Sequence, residues 1–212
     1  MQRIVKIKNE IGFVCAAAVG GLEESRGPLG NSFDFCDRSD LFGQKTWELA
    51  EGEMGRICLN VALKKANVSH DELNLIAAGD LQNQCSASSI GLYSFGVPLI
   101  GLYGACSTCA ESILTLSAFM DCHDELDLCA AVTTSHNATA ERQFRTPLEY
   151  GGQRTPTAQR TATAAGAAVV QSGIKNGIII SKLHYGRIQD FGITDANNMG
   201  AAMAPVDVKI EP

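Results

Sequence analysis

Apolar positions along the chain fall into two periodicities. Residues 3–8 alternate charged and apolar side chains with a period of two, and residues 13–19 form a second apolar run, which predicts two opening strands about the turn Asn9-Glu10. Residues 20–43 then fill with Gly, Pro, Asp and Ser, including Arg26-Gly27-Pro28-Leu29-Gly30, the composition of a long ordered surface loop. Trp47, Ala50, Met54, Ile57 and Val61 recur at spacings of three and four, predicting a helix that ends near Asn67. Residues 73–79 form a short apolar run closed by Gly79-Asp80, which suits a buried parallel strand. The alternation continues with a helix over 82–95, a strand over 97–103, an apolar helix over 107–121 and a strand over 126–134. Repeated strand-helix-strand units predict an α/β fold, a parallel-rich sheet with helices on both faces. A polar stretch, 135–160, holds four arginines and breaks the rhythm. The runs 162–171 and 177–187 then predict an antiparallel or edge pair joined by a turn over 173–176.

Composition narrows the class. With 212 residues, 45% hydrophobic and 19% charged, the chain reads as one ordinary globular domain. Its net charge, 17 − 23 = −6, repels a phosphate backbone and argues against nucleic acid as a partner. No run approaches the roughly 18 apolar residues of a membrane span, and residues 1–10 lack the apolar core and cleavage site of a signal peptide. A soluble, cytoplasmic chain is the expectation. Its eight cysteines have no regular spacing and read as reduced thiols, most of them small core residues.

Ligands of open α/β sheets gather beyond the carboxyl ends of the strands, where N–H groups of the next helix point outward. Three segments end there: residues 79–84, 101–108 and 133–137. Cys106 is the most informative residue, because an apolar strand precedes it and a helix follows. A helix N-terminus favours thiolate over thiol, and Gly104 with the small Ala105 permits a sharp strand-to-helix turn. Composition alone favours one more small buried thiol, and it is the position of Cys106 that points to function. Cys106-Ser107-Thr108-Cys109 has the C-x-x-C spacing of a redox pair or half a zinc knuckle, yet it does not open a small thioredoxin-like unit and no second such pair completes a zinc site, so Cys109 reads as a core residue. His136 suits either a ligand donor and base or a hydrogen-bonded structural histidine. Arg142 and Arg145 share one face of a helical turn, where they would clamp a carboxylate or pair with Glu141 or Glu149. His70, His123 and His184 have no paired spacing, so neither a metal site nor a cofactor is expected.

Gly79-Asp80-Leu81, Gly104-Ala105-Cys106-Ser107-Thr108, the block from Ser135-His136-Asn137 to Phe144-Arg145, and Glu149-Tyr150-Gly151-Gly152-Gln153 together resemble the stage V sporulation protein AD family of the thiolase-like superfamily. Lys45-Thr46-Trp47, Gly192-Ile193-Thr194-Asp195 and Ala202-Met203-Ala204-Pro205 fit the same family, so the likeness runs to about Pro205. The resemblance implies the N-terminal half of a thiolase fold over residues 1–205, a divergent tail over 206–212, and a second half largely missing, as in a truncated or frame-shifted product or a half that acts alone. It implies a non-enzymatic sporulation protein that binds dipicolinic acid and acts in its uptake into the forespore and release at germination. Its partners would be the other stage V sporulation A membrane proteins, which hold it at the inner spore membrane. The ligand-binding set is Asn83, Cys106, Ser135, His136, Asn137, Arg142 and Arg145. In thiolases the residue matching Cys106 is the acyl-accepting nucleophile, so the alternative is an acyltransferase of the ketoacyl-synthase kind. An exposed apolar face over 107–120 would further favour a homodimer.

Overall fold

The computed structural model describes residues 4–144 and 160–186 with 190, 192 and 194, and describes no side chain at 83 or 141–144. The expected tail over 206–212 therefore lies outside the described residues.

Two strands open the chain, β1 (Ile4–Lys6) and β2 (Ile11–Gly20). The loop that follows carries short elements that apolar periodicity could not reveal: a five-residue helix α1 (Leu22–Arg26), a 3-10 turn (Gly30–Ser32) and a two-residue strand β3 (Phe35–Cys36). Helix α2 (Trp47–Ala66) comes next, with the Thr46 hydroxyl accepting the Leu49 N–H at its start and Asn67 in the left-handed conformation at its end. Strand β4 (Leu75–Gly79), helix α3 (Ser86–Leu92) and strand β5 (Leu99–Gly101) follow. Then come α4 (Thr108–Met120), β6 (Leu128–Ser135), α5 (Asn137–Phe144), β7 (Ala164–Ser172) and β8 (Lys182–His184).

Six strands form one sheet in the order β3-β2-β7-β6-β4-β5. Strands β6, β4 and β5 run parallel to one another, β3 runs parallel to β2, and β7 is antiparallel to both β2 and β6. This corrects the expectation for the last two runs. Strand β7 is central rather than an edge, and β8 leaves the sheet to pair with β1, Val5 opposite Leu183. The reason is in the composition of β7. Its residues, Ala-Ala-Gly-Ala-Ala-Val-Val followed by Gln171 and Ser172, are small enough on both faces to sit between two strands and beneath packed helices.

Helices cover both faces, and the strands divide between two cores residue by residue. Ile76, Ala78, Ala130 and Val132 face the core under α2, while Leu75, Ala77, Cys129 and Ala131 face the core under α4. The buried face of α2 is rotated from the expected stripe. Glu51, Met54, Cys58 and Ala62 are fully buried, whereas Trp47 is exposed and Ile57 and Val61 are half-buried. Among the described residues no helix is long and apolar enough to cross a membrane.

Candidate functional site

Beyond the carboxyl ends of β4 and β6 lies a cavity of about 400 Å³, within the usual size range of small-molecule sites. Its wall includes Asp80 and Leu81 after β4, Thr133, Thr134 and Ser135 of β6, and Ala164, Ala165 and Gly166 of β7. Phe33 and Ala18 contribute from the β2–β3 side, and Ala105, Cys106, Thr108 and Cys109 from the start of α4.

The chain turns from β5 into α4 through a hydrogen-bonded elbow. The Leu102 N–H donates to the Ala78 carbonyl at 2.8 Å, fixing the turn against the end of β4. The Thr108 hydroxyl accepts the Gly104 N–H at 3.1 Å and donates to the Ala105 carbonyl at 2.8 Å, while the Ser107 hydroxyl donates to the Gly104 carbonyl at 2.7 Å. The left-handed residue here is Ala105, with φ of 48°, not Gly104. Such a conformation costs a non-glycine residue about 1 kcal/mol and persists only where neighbours fix it. At Gly104 a Cβ would meet only the side-chain ends of Glu111 and Ser107. The outcome is an exposed Cys106 on the cavity wall. Cys109 lines the same cavity and is exposed, correcting the expectation of a core residue. Of all eight cysteines only Cys58 and Cys129 are buried, so most are not core residues either.

Two buried carboxylates organise this wall, Asp80 within it and Glu51 behind it, and the sequence singled out neither as a functional side chain. Asp80 is 1% exposed. Its Oδ1 accepts the Gln82 N–H at 2.8 Å, and its Oδ2 accepts the Ser88 N–H at 2.7 Å and the Ser88 hydroxyl at 2.6 Å, so one side chain folds the connection from β4 to α3. Glu51 is fully buried on α2. It accepts from Gln82 Nε2 at 2.9 Å and lies 2.6 Å from the Thr139 hydroxyl and 3.2 Å from the Thr134 hydroxyl. Burial pushes its carboxyl above the ordinary range and the Asp80 charge pushes the same way, against the hydrogen bonds from Thr139 and Gln82. The signal for Glu51 was present, because residues 47, 51, 54 and 58 share one helical face with Met54 and Cys58.

The expected site residues separate. Cys106 and Ser135 line the cavity. Ser135 also donates to the Ala162 carbonyl at 2.8 Å. His136 is 2% exposed and outside the lining. Its Nε2 lies 2.9 Å from the Asp40 carbonyl, its Nδ1 accepts the Ala138 N–H at 3.2 Å, and its ring packs on Trp47 at 5.1 Å between centroids. That pattern requires a hydrogen on Nε2 and leaves neither nitrogen for a ligand. Asn137 is anchored as well, its backbone N–H donating to the Thr163 hydroxyl at 3.1 Å and its Nδ2 to the Thr161 carbonyl at 2.8 Å, which ties α5 to the segment entering β7. The side chains of Asn83 and Arg142 and the whole of Arg145 lie outside the described residues. Among those described, no cluster of three or more His, Cys, Asp or Glu side chains is arranged to hold a metal ion.

Comparison with known proteins extends this picture. The family model for stage V sporulation protein AD matches residues 1–210. Stage V sporulation protein AD of Bacillus subtilis (strain 168) is 43% identical over 190 residues, which cover 90% of this chain and 56% of that protein. Among solved structures, a variant of Xanthomonas campestris OleA superposes with a TM-score of 0.52 at 14% identity, over 79% of this chain and 57% of that chain. The 3-oxoacyl-(acyl-carrier-protein) synthase III of Aquifex aeolicus VF5 gives 0.51 at 15% identity, over 76% and 53%. At such identities the likeness shows the fold alone, and that fold is thiolase-like, as the sequence implied. The chain spans little more than half the length of each of these relatives. Carried by the family match and by the Bacillus relative, the assignment is that the chain belongs to the stage V sporulation protein AD family.

Proposed function

We propose that the cavity beyond β4 and β6 binds dipicolinic acid, and that the protein acts in the uptake of this pyridine dicarboxylate into the forespore and its release at germination. The observation that carries the reading is a cavity of about 400 Å³ bounded by strand ends and by the elbow into α4, where α/β folds gather ligands. Its wall offers the Thr133 hydroxyl, which has no hydrogen-bond partner among the described residues. Asp80 is the one charged side chain in the described lining, so a dianion needs counter-charge from elsewhere. Arg142 and Arg145 are the residues assigned that part, each able to bind a carboxylate in bidentate fashion. The other stage V sporulation A membrane proteins are the proposed partners, and the working form is a homodimer held at the inner spore membrane through them.

Isothermal titration of the full chain with dipicolinate tests this. Saturable heat is expected, and Arg142→Ala and Arg145→Ala should each weaken binding by about tenfold or more, the worth of a charge-assisted hydrogen bond. No heat from a folded sample contradicts the reading.

The exposed sulfur of Cys106 on the same cavity favours one alternative, an acyltransferase in which Cys106 attacks an acyl thioester, retains the acyl group and releases the carrier thiol. Among the described residues no imidazole lines the cavity to serve as its base. Incubation with acetyl-CoA and measurement of intact mass separates the two, since only the acyltransferase gains an acetyl group on Cys106.

A further inference from the structure

Glu51 poses a question of hydrogen supply. The Thr139 hydroxyl lies 2.6 Å from Glu51 Oε2 and 3.0 Å from the His136 carbonyl, and a hydroxyl has one hydrogen to give. With Glu51 ionised, that hydrogen goes to the carboxylate, and the His136 carbonyl keeps only the Ala140 N–H at 2.9 Å. With Glu51 protonated, the acid donates to Thr139 Oγ1 and Thr139 donates onward to the His136 carbonyl. Each protonation state thus has its own complete hydrogen-bond arrangement.

The same carboxyl reaches two parts of the cavity wall. Its Oε1 meets the hydroxyl of Thr134, a lining residue. Its Oε2 accepts from Gln82, whose own N–H binds the lining residue Asp80. The Gln82 side chain is anchored twice more, on the Glu48 carbonyl at 3.3 Å and by the Ser86 hydroxyl at 3.0 Å. The elements that pack on α2 are α3, β2, β7, β6 and α5, with β4 beneath it, which has no ionisable group. Strand β7, helix α3 and the described side chains of α5 hold no ionisable group, while β2 and β6 hold the thiols Cys15 and Cys129. Cys85 stands at the entry to α3, and Asp80 is the charged group acting on Glu51 from across the interface.

We propose that Glu51 is a positioning residue for the cavity, a buried proton-binding site whose ionisation loosens the Asp80–Ser88 connection and the end of β6. The direction follows from burial. The folded chain holds this proton more tightly than the unfolded chain, whose carboxyl has the ordinary value of 4.5. The stabilisation is therefore complete below that value and is lost as pH rises through the higher, folded one. Above it, two carboxylates, Glu51 and Asp80, stand on either side of Gln82, and the connection that both of them organise is the part that loosens.

Amide hydrogen exchange at Gln82 and Ser88 tests the proposal on the full chain, comparing wild type with Glu51→Gln between about pH 5 and pH 8. Glutamine keeps the shape and cannot ionise. Wild-type protection should fall relative to the variant on the order of fivefold as pH rises, and a ratio that stays constant overturns the proposal. Thr139→Val supplies a second arm should the glutamine variant fold poorly. Removing a hydroxyl that stabilises the carboxylate should move the midpoint of the wild-type profile to higher pH, and an unmoved midpoint also overturns it. A third arm rests on the function proposed above. Dipicolinate titrates identically with both proteins, so the wild-type to Glu51→Gln affinity ratio isolates Glu51 and should fall as pH rises. Absence of dipicolinate binding to either protein counts against the ligand assignment, while the exchange ratio still decides the role of Glu51.

Discussion

Burial separates the eight thiols into groups with different chemistry. Cys58 is fully buried on α2 within 3.4 Å of the carbonyls of Ala17 and Ala165, and desolvation pushes its thiol up to about 12. Cys129 on β6 is equally buried, its thiol pushed up to about 11. The thiolate is the nucleophile, so at mildly alkaline pH these two should react with iodoacetamide more than about a hundredfold slower than exposed Cys106, Cys109 and Cys122. Peptide mapping after timed alkylation of the folded protein checks this, and early labelling of Cys58 would show that the α2 core is open. Sequence placed Cys106 at its strand-to-helix junction because flanking periodicity fixes both elements. It could not place Cys109, whose exposure depends on the rotation of α4, nor choose for His136. The ring of His136 is claimed by the carbonyl of Asp40, a residue 96 positions away in the long β2–α2 loop, and no local pattern reports such a contact.

Elements with strong apolar periodicity were legible to within a few residues. Helices α2 and α4 and strands β2, β4 and β6 all lie where the pattern put them. The helix expected over 82–95 is instead α3 flanked by two 3-10 turns, because Gln84 and Cys85 take left-handed conformations at its entry. The cause is a local side-chain capture, since Asp80 accepts the N–H groups of both Gln82 and Ser88 and folds the chain back between them. Strand β7 was legible as a strand but not as a central one, because order across a sheet is decided by long-range pairing. The elbow rests on close approach at Gly79, where a Cβ would run into the Leu102 carbonyl and the Thr108 methyl. Gly79→Ala should therefore cost about 2 kcal/mol or more, read as a lower midpoint in urea, together with faster exchange at Leu102. A midpoint equal to wild type would mean that the elbow can move away from β4 without strain.

At the scale of the molecule, a mixed sheet buried on both faces brings three strand ends and one helix start around a single cavity. A net charge of −6 opposes a polyanionic partner, yet it leaves room for a small dianion held by local groups. Fold class and family were readable because the motifs at the strand ends are long and contiguous. The cavity was not, because its wall joins Ala18 and Phe33 to Gly166 across most of the sequence. Its place beside Cys106 and Cys109, with Cys122 exposed elsewhere, supplies an internal control. The most direct measurement is the rate of iodoacetamide labelling at these three cysteines with and without saturating dipicolinate. Binding in the cavity predicts slower labelling at Cys106 and Cys109 with Cys122 unchanged; equal rates at all three, with and without the ligand, would contradict it.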